Sequence, residues 1–318
     1  MKHGTNTIYE VTACDGTLMT EALGPYMRRY STFDNAGRLT HSVVQIGSLQ
    51  EDTIASQSYT YDNGTGNLLS RTVGERETEE FTYDAVDRLT RVDYDGGRQT
   101  NLYYDANGNI DSKYGTASRI GSYYYDSSSP HAVTDVEDPL NAVNRPSSYV
   151  TVTYNELGKV SLINDNNYPT APLRYLYGPD HERWQASGVK TGSAAGSVSG
   201  IRYFGDYEER FSSSTVQRRF VYLDGGVLAV ATGNGSYEFY YIHADHQGTI
   251  FAITDEDGDD VFRATYDPWG RQTVQQNDIA FFRGYTGHEM VEQGCLINMN
   301  GRLYDPCLGL FLSPDNYV

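Results

Sequence analysis

A short phrase recurs along the first half of this chain and constrains its fold more than any other feature. It runs aromatic, spacer, tyrosine-aspartate, a short gap, glycine, a basic or amide residue, then an aliphatic one. Tyr59-Thr60-Tyr61-Asp62 leads to Gly66-Asn67-Leu68, Phe81-Thr82-Tyr83-Asp84 to Arg88-Leu89, and Tyr103-Tyr104-Asp105 to Gly108-Asn109-Ile110. Degenerate copies are Phe33-Asp34 with Gly37-Arg38-Leu39, Tyr124-Tyr125-Asp126, and Tyr154-Asn155 with Gly158-Lys159-Val160. With Asp or Asn as marker the copies fall at 34, 62, 84, 105, 126 and 155, in steps of 28, 22, 21, 21 and 29 residues. A period near 21 predicts an array of small supersecondary units, each leaning on its neighbours, rather than one enzyme core.

Each phrase reads as a β-hairpin. The aromatics of Tyr59-Thr60-Tyr61 are two apart and share one strand face, and tyrosine and threonine suit a pleated, half-buried surface. The Asp binds turn N–H groups through its carboxylate, the Gly takes positive φ at little cost, and Leu68, Leu89 or Ile110 restarts a strand. Turns are expected at Asp62–Gly66, Asp84–Asp87 and Asp105–Gly108, in an almost wholly antiparallel β protein. No apolar stripe of helical period is evident. Tyrosine is abundant, 28 against 11 Phe and 2 Trp. Tyr61, Tyr83 and Tyr104, each followed by its Asp (Asp62, Asp84, Asp105), are expected to form a column on one sheet face that stacks from strand to strand. Tyr266-Asp267 repeats the pair late in the chain. A column fully buried in this way predicts a cost of about 3–5 kcal/mol for Tyr83→Ala.

Composition narrows function. A net charge of −18 opposes nonspecific nucleic-acid binding, which needs a basic footprint; much of the Asp excess is assigned to turns. Three cysteines, Cys14, Cys295 and Cys307, make no disulfide framework or zinc spacing. No run approaches 18 apolar residues, so no membrane span is expected, and no signal peptide is visible. Neither GxxxxGK[ST] nor GxSxG occurs. Three regions are expected: a regular array over 1–165, degenerate repeats over 166–225, and a region of different character over 226–318. Loops are expected at 127–130 and 141–148, and a flexible hairpin tip at 185–200. His243, Asp245 and His246 could supply metal ligands or a base. On a strand, however, His243 and Asp245 share a face that His246 does not, so structural hydrogen bonding is the expected role. No cofactor or metal is expected.

The last third carries a resemblance. Tyr241-Ile242-His243-Ala244-Asp245-His246-Gln247-Gly248-Thr249 is followed by Ala264-Thr265-Tyr266-Asp267-Pro268-Trp269-Gly270-Arg271. Then come Phe282-Arg283-Gly284-Tyr285-Thr286-Gly287-His288-Glu289 and Gly301-Arg302-Leu303-Tyr304-Asp305-Pro306, ending on Ser313-Pro314-Asp315-Asn316-Tyr317-Val318. This resembles the rearrangement-hotspot (RHS) repeat-associated core that follows YD repeats in bacterial RHS proteins, and the closing variant looks like those of Bacteroidetes. The resemblance implies a sheet spiralling into a hollow shell, or part of one, with the core plugging one end. In polymorphic toxins and insecticidal toxin complexes such a shell holds a cytotoxic C-terminal passenger; in teneurins it carries adhesion modules. It implies secretion or cell-surface display within a larger protein, with a passenger domain or further shell segments as partners. In some relatives the core is also an aspartyl autoprotease, whose matching positions here are Arg302, Asp305 and Asp315. Here Asn316-Tyr317-Val318 follows Asp315, and Gly309-Leu310-Phe311 stands where many relatives have Gly-Arg-Phe. Neither toxin activity nor efficient self-cleavage is therefore expected of the chain alone. The first functional reading is a shell segment that encapsulates or presents a passenger. The alternatives are a surface adhesion or carbohydrate-binding protein and a self-cleaving enzyme.

Overall fold

The computed structural model describes residues 1–3, 6–47, 52–74, 76–116, 120–127, 129–137, 150–166, 171–189, 199–213, 215–231, 236–292 and 295–313. Among these there is no α-helix; the helical elements named are two 3-10 turns, Asp224–Gly226 and Tyr285–Gly287. Everything else regular is strand, and every named strand pair is antiparallel. A ten-stranded sheet runs in chain order from Tyr9–Cys14 to Ile110–Tyr114, and a twelve-stranded sheet from Val150–Tyr154 to Gln272–Asn277. A four-stranded sheet, Glu289–Val291 to Leu310–Phe311, follows. Within each sheet the strands lie in chain order, each beside its sequence neighbours, as expected of hairpins joined end to end.

The turns at Asp62–Gly66, Asp84–Asp87 and Asp105–Gly108 are present. In the last, Gly108 N–H donates to the Asp105 carbonyl at 3.1 Å and Asp105 N–H to the Asn109 carbonyl at 3.0 Å. Gly108 has φ 86°. The pairing register shifts beside Tyr104, so the turn closes through a left-handed residue and a bulge. Asp87 fills the glycine position of its repeat at φ 63°, a conformation Asp tolerates better than most residues.

One expectation about loops needs correction. Ser129–Val136 is a strand paired with Tyr123–Asp126, so Ser129 and Pro130 are not loop residues. The proline is tolerated because this two-stranded sheet consists only of edges. At the proposed tip, Arg183–Ser187 and Gly200–Phe204 are paired strands; 190–198 lie outside the described residues, as do 141–148.

By compactness the chain falls into two units, 1–31 with 43–55 and 148–318, and 32–42 with 56–147. In the first unit, Val160, Ile163, Leu173, Tyr175, Ala186 and Ile201 of the twelve-stranded sheet form one core with Val291, Leu296 and Leu303 of the four-stranded sheet. Elsewhere in that unit, Ile250–Thr254 is buried at every position. The Thr254 hydroxyl reaches Met27 Sδ at 3.6 Å, and Arg29 Nη2 donates to the Ile242 carbonyl at 3.0 Å. The early strands thus cover late ones. In the second unit, Phe81, Val92 and Leu102 are buried on alternating positions of successive strands.

Candidate functional site: the repeat ladder and the C-terminal junction

The tyrosines of the phrase make bonds other than the stacking expected of them. Tyr61 donates its hydroxyl to the Leu39 carbonyl at 2.9 Å, Tyr83 to Leu68 at 2.9 Å, and Tyr104 to Leu89 at 2.8 Å. Tyr125 donates to Ile110 at 2.8 Å, Tyr177 to Val160 at 2.7 Å, and Tyr266 to Ile250 at 2.8 Å. The acceptor in every case is the aliphatic residue that restarts the strand in an earlier copy of the phrase. The expected strand-to-strand stacking is replaced by stacking on cations. Arg38 lies 4.7 Å over Tyr61, Arg88 4.4 Å over Tyr104 and Lys159 5.6 Å over Tyr177. A guanidinium over a tyrosine face adds roughly 0.5–1 kcal/mol at exposed sites. Burial pushes the phenol of Tyr125 up to about 12, so the hydroxyls stay protonated donors.

The Asp holds the turn. Asp34 Oδ1 accepts from Ala36 and Arg38 N–H, Asp84 Oδ1 from Val86 and Arg88, and Asp105 Oδ1 from Asn107 and Asn109. In Asp62 the acceptors' partners are Gly64 and Thr65 N–H. Backbone N–H bonds, first that of Arg88, hold the Asp84 carboxyl below its ordinary range; that of Thr65 does the same for Asp62. The basic or amide position reaches forward to the next turn. Arg38 Nη1 donates to the Asp62 carbonyl at 3.1 Å, Asn67 Nδ2 to Asp87 Oδ1 at 2.7 Å, and Lys159 Nζ to the His181 carbonyl at 2.6 Å. Each recurring letter of the phrase therefore has a partner: Asp within its own turn, Tyr on a preceding copy, the cation or amide, as at Arg38, Asn67 and Lys159, on a following one.

The same turn continues where the sequence reading saw a change of character. Asp245 accepts from Gln247 and Thr249 N–H, Asp255 from Asp257 and Asp259, and Asp267 from Trp269 and Arg271. Asp245 is thus a turn carboxylate and does not form a ligand set with His243. His243 is buried, with Nε2 2.9 Å from Thr254 Oγ1; burial, then Arg29 and Arg263, brings its pKa down to about 3. Among the described residues no group of three His, Cys, Asp or Glu could hold a metal.

Of the autoprotease positions, Asp305 is buried, and its Oδ1 accepts from Cys307 N–H at 2.9 Å and Leu308 N–H at 3.2 Å. The Arg302 guanidinium lies 3.8 Å over the Phe311 ring. Asp315 lies outside the described residues, so the structure gives no distance between the two carboxylates.

Sequence reading missed one cluster altogether. Where the four-stranded sheet meets the twelve-stranded one, Arg183 pairs with Glu289 at 2.6 Å and Arg283 with Glu208 at 2.5 Å. The exchange is reciprocal: the larger sheet offers Arg183 and Glu208, the C-terminal segment Glu289 and Arg283. Tyr203 donates to both Glu289 oxygens at 2.8 and 2.9 Å, and Arg183 stacks 4.3 Å over the Tyr203 ring. Burial pushes the Glu208 carboxyl up, but Arg283 and Arg210 outweigh it and hold it below the ordinary value. Charged letters within a strand, such as Glu208 and Arg210, look like a solvated face in a sequence; both are buried where residues 281–289 dock.

A family profile described as the teneurin YD-shell matches residues 212–318. The tRNA nuclease WapA of Bacillus subtilis (strain 168) is 26% identical over 266 residues, covering 81% of this chain and 9% of its own length. The double-stranded DNA deaminase toxin A of Burkholderia cenocepacia is 20% identical over 328 residues, covering 97% of this chain and 22% of its own. Solved TcdB2-TccC3 without the hypervariable C-terminal region shares the fold at TM-score 0.56 and 15% identity, over 95% of this chain and 20% of that one. The Tc holotoxin pore of Photorhabdus luminescens does so at TM-score 0.52 and 15% identity, over 98% and 20%. The chain spans between about a tenth and about a fifth of the length of these proteins. With the repeat ladder, the profile match over 212–318 and the fold shared with TcdB2-TccC3, the chain is similar to RHS/YD-repeat shell proteins.

Proposed function

We propose that this chain is a wall segment of a longer RHS-type toxin, whose shell sequesters a C-terminal passenger until delivery. The observation that supports this is the ladder of tyrosine-to-carbonyl bonds, which ties hairpin to hairpin through backbone atoms and leaves the intervening side chains free to vary. Such a wall is continuous and indifferent to its contents. The relatives named as a tRNA nuclease and a DNA deaminase toxin carry activities that a producing cell must keep apart from its own nucleic acids. Further shell segments and the passenger are the partners this reading implies, and export or surface display its location. No finding supports the carbohydrate-binding expectation. Self-cleavage through Arg302, Asp305 and Asp315 stays a separate proposal, and we expect the chain not to perform it efficiently.

The test is to express the chain with its native flanking sequence and digest it with a broad-specificity protease. A passenger that survives in the folded shell, and is degraded once the shell is unfolded in denaturant, is the expected result. A passenger degraded at the same rate in both states overturns the reading. Fragment masses from the undigested sample, with Asp305→Asn alongside, report on self-cleavage: one discrete cut abolished by the substitution would make the chain an autoprotease.

A further inference from the structure

The junction between the four-stranded and twelve-stranded sheets is unbalanced in charge. Three arginines, Arg183, Arg210 and Arg283, meet two glutamates, Glu208 and Glu289. His288 beside them adds no charge, since burial and then Arg283 lower its pKa. One positive charge is therefore left over among the described residues of the cluster. Arg210 is the most enclosed of the three, with a side chain 0% exposed. Its guanidinium lies between two rings, 4.2 Å from the Phe220 centroid and 4.4 Å from that of Phe282. Nη2 is 3.1 Å from Glu208, while Nε and Nη1 have no partner, and neither has Arg183 Nη1.

The two phenyl rings stabilise the cation through its faces, but a guanidinium's donors all lie in its plane. The rings therefore satisfy none of them. Buried N–H groups are almost always bonded, and an unmatched group calls for a missing water or ion; a buried charge requires a partner of opposite sign. A water would satisfy a donor but leave the charge. A single negative ion in the guanidinium plane would satisfy both.

We propose that this junction binds one small monovalent anion, chloride in ordinary media, in the plane of the Arg210 guanidinium at Nε or Nη1. One such ion brings the cluster to neutrality; a divalent oxyanion would overshoot it. Arg183, Glu208, Arg210 and Phe220 belong to the larger sheet, and Phe282, Arg283 and Glu289 to the segment that follows it. The ion thus fastens that segment to the sheet, whatever the shell encloses.

The test uses the full chain. Crystals soaked in sodium bromide and measured at the bromine absorption edge should show an anomalous peak within hydrogen-bonding distance of Arg210 Nε or Nη1. In parallel, Tm measured in sodium chloride against sodium gluconate at constant ionic strength should rise saturably with chloride, as mass action on the folded state requires. Arg210→Met, which removes the surplus charge, should show no difference between the salts. No bromide peak at Arg210, an ordinary water in its place, or equal Tm in the two salts for the unsubstituted protein overturns the proposal. The bromide map decides the matter even if Arg210→Met does not fold.

Discussion

A tyrosine in this repeat works at both ends: its ring lies under a cation of an earlier copy, and its hydroxyl closes onto a backbone carbonyl there. Tyr104, below Arg88 and bonded to Leu89, is the plainest case. Tyr104→Phe keeps the ring and removes the donor. We expect a loss of about 1 kcal/mol, the net worth of one such hydrogen bond, read as a fall in denaturant midpoint with unchanged slope. Tyr83 is only half-buried, so Tyr83→Ala should cost about 2–3 kcal/mol, less than full burial of an aromatic would imply. A change under about 0.5 kcal/mol would put Tyr83 among ordinary surface positions. The phrase itself was legible in the sequence because turn chemistry is local: an Asp and a Gly three residues on specify a left-handed closure wherever they occur. The acceptor of the tyrosine hydroxyl was not, because a carbonyl 15 to 22 residues away carries no letter of its own.

Two elements depend on contacts distant in sequence. The strand Tyr237–Ala244 buries His243 against Thr254, in the strand Ile250–Thr254, with Arg29 and Arg263 near enough to disfavour a second charge. The folded state holds His243 neutral down to about pH 3, whereas an unfolded histidine protonates near 6.5. The unfolded chain therefore binds more protons in between. The stabilisation from this group is complete above about pH 6.5 and is lost as pH falls towards 3. Denaturant midpoints between pH 7 and 4 should decline in the native protein and decline less in His243→Gln; equal slopes would mean the imidazole is solvated. The four-stranded sheet is held by the reciprocal arginine–glutamate exchange. Glu289→Gln strands Arg183 beside Tyr203 without its counter-charge, and breaking a buried pair in this way costs about 3–5 kcal/mol. Hydrogen exchange should then accelerate first in Glu289–Val291 and Leu296–Met299. Uniform acceleration across the larger sheet would show that the pair does not act locally.

For the molecule as a whole, the first compact unit depends on its last residues. Val291, Leu296 and Leu303 share a core with Val160, Ile163 and Ile201, so ending the chain at residue 278 bares that face. We expect the shortened protein to bind a hydrophobic dye and aggregate, while the hairpins of 56–116 keep their β circular dichroism. A shortened chain that stays monodisperse and unfolds as cooperatively as the intact one would show that the four-stranded sheet is an accessory. Within residues 226–318 the turn of the phrase recurs in strands of a different composition. Asp245, Asp255 and Asp267 make the array's own turn, but their strands carry buried apolar runs such as Val227–Val230 and Ile250–Ile253, covered on both faces, which disguise the alternating pattern of half-solvated hairpins.

The sequence by itself determined that this is an antiparallel β array and where its regular turns fall. Those properties follow from residues within a few positions of one another, and the repeat writes them out several times. Tertiary structure alone decided what the tyrosines bind, that His243 is a buried neutral group, and that Arg183, Glu208, Arg210, Arg283 and Glu289 meet. Each of these rests on chain segments tens of residues apart coming together. Whether a charge in a strand is solvated or buried depends on what docks upon it, and no local pattern encodes that.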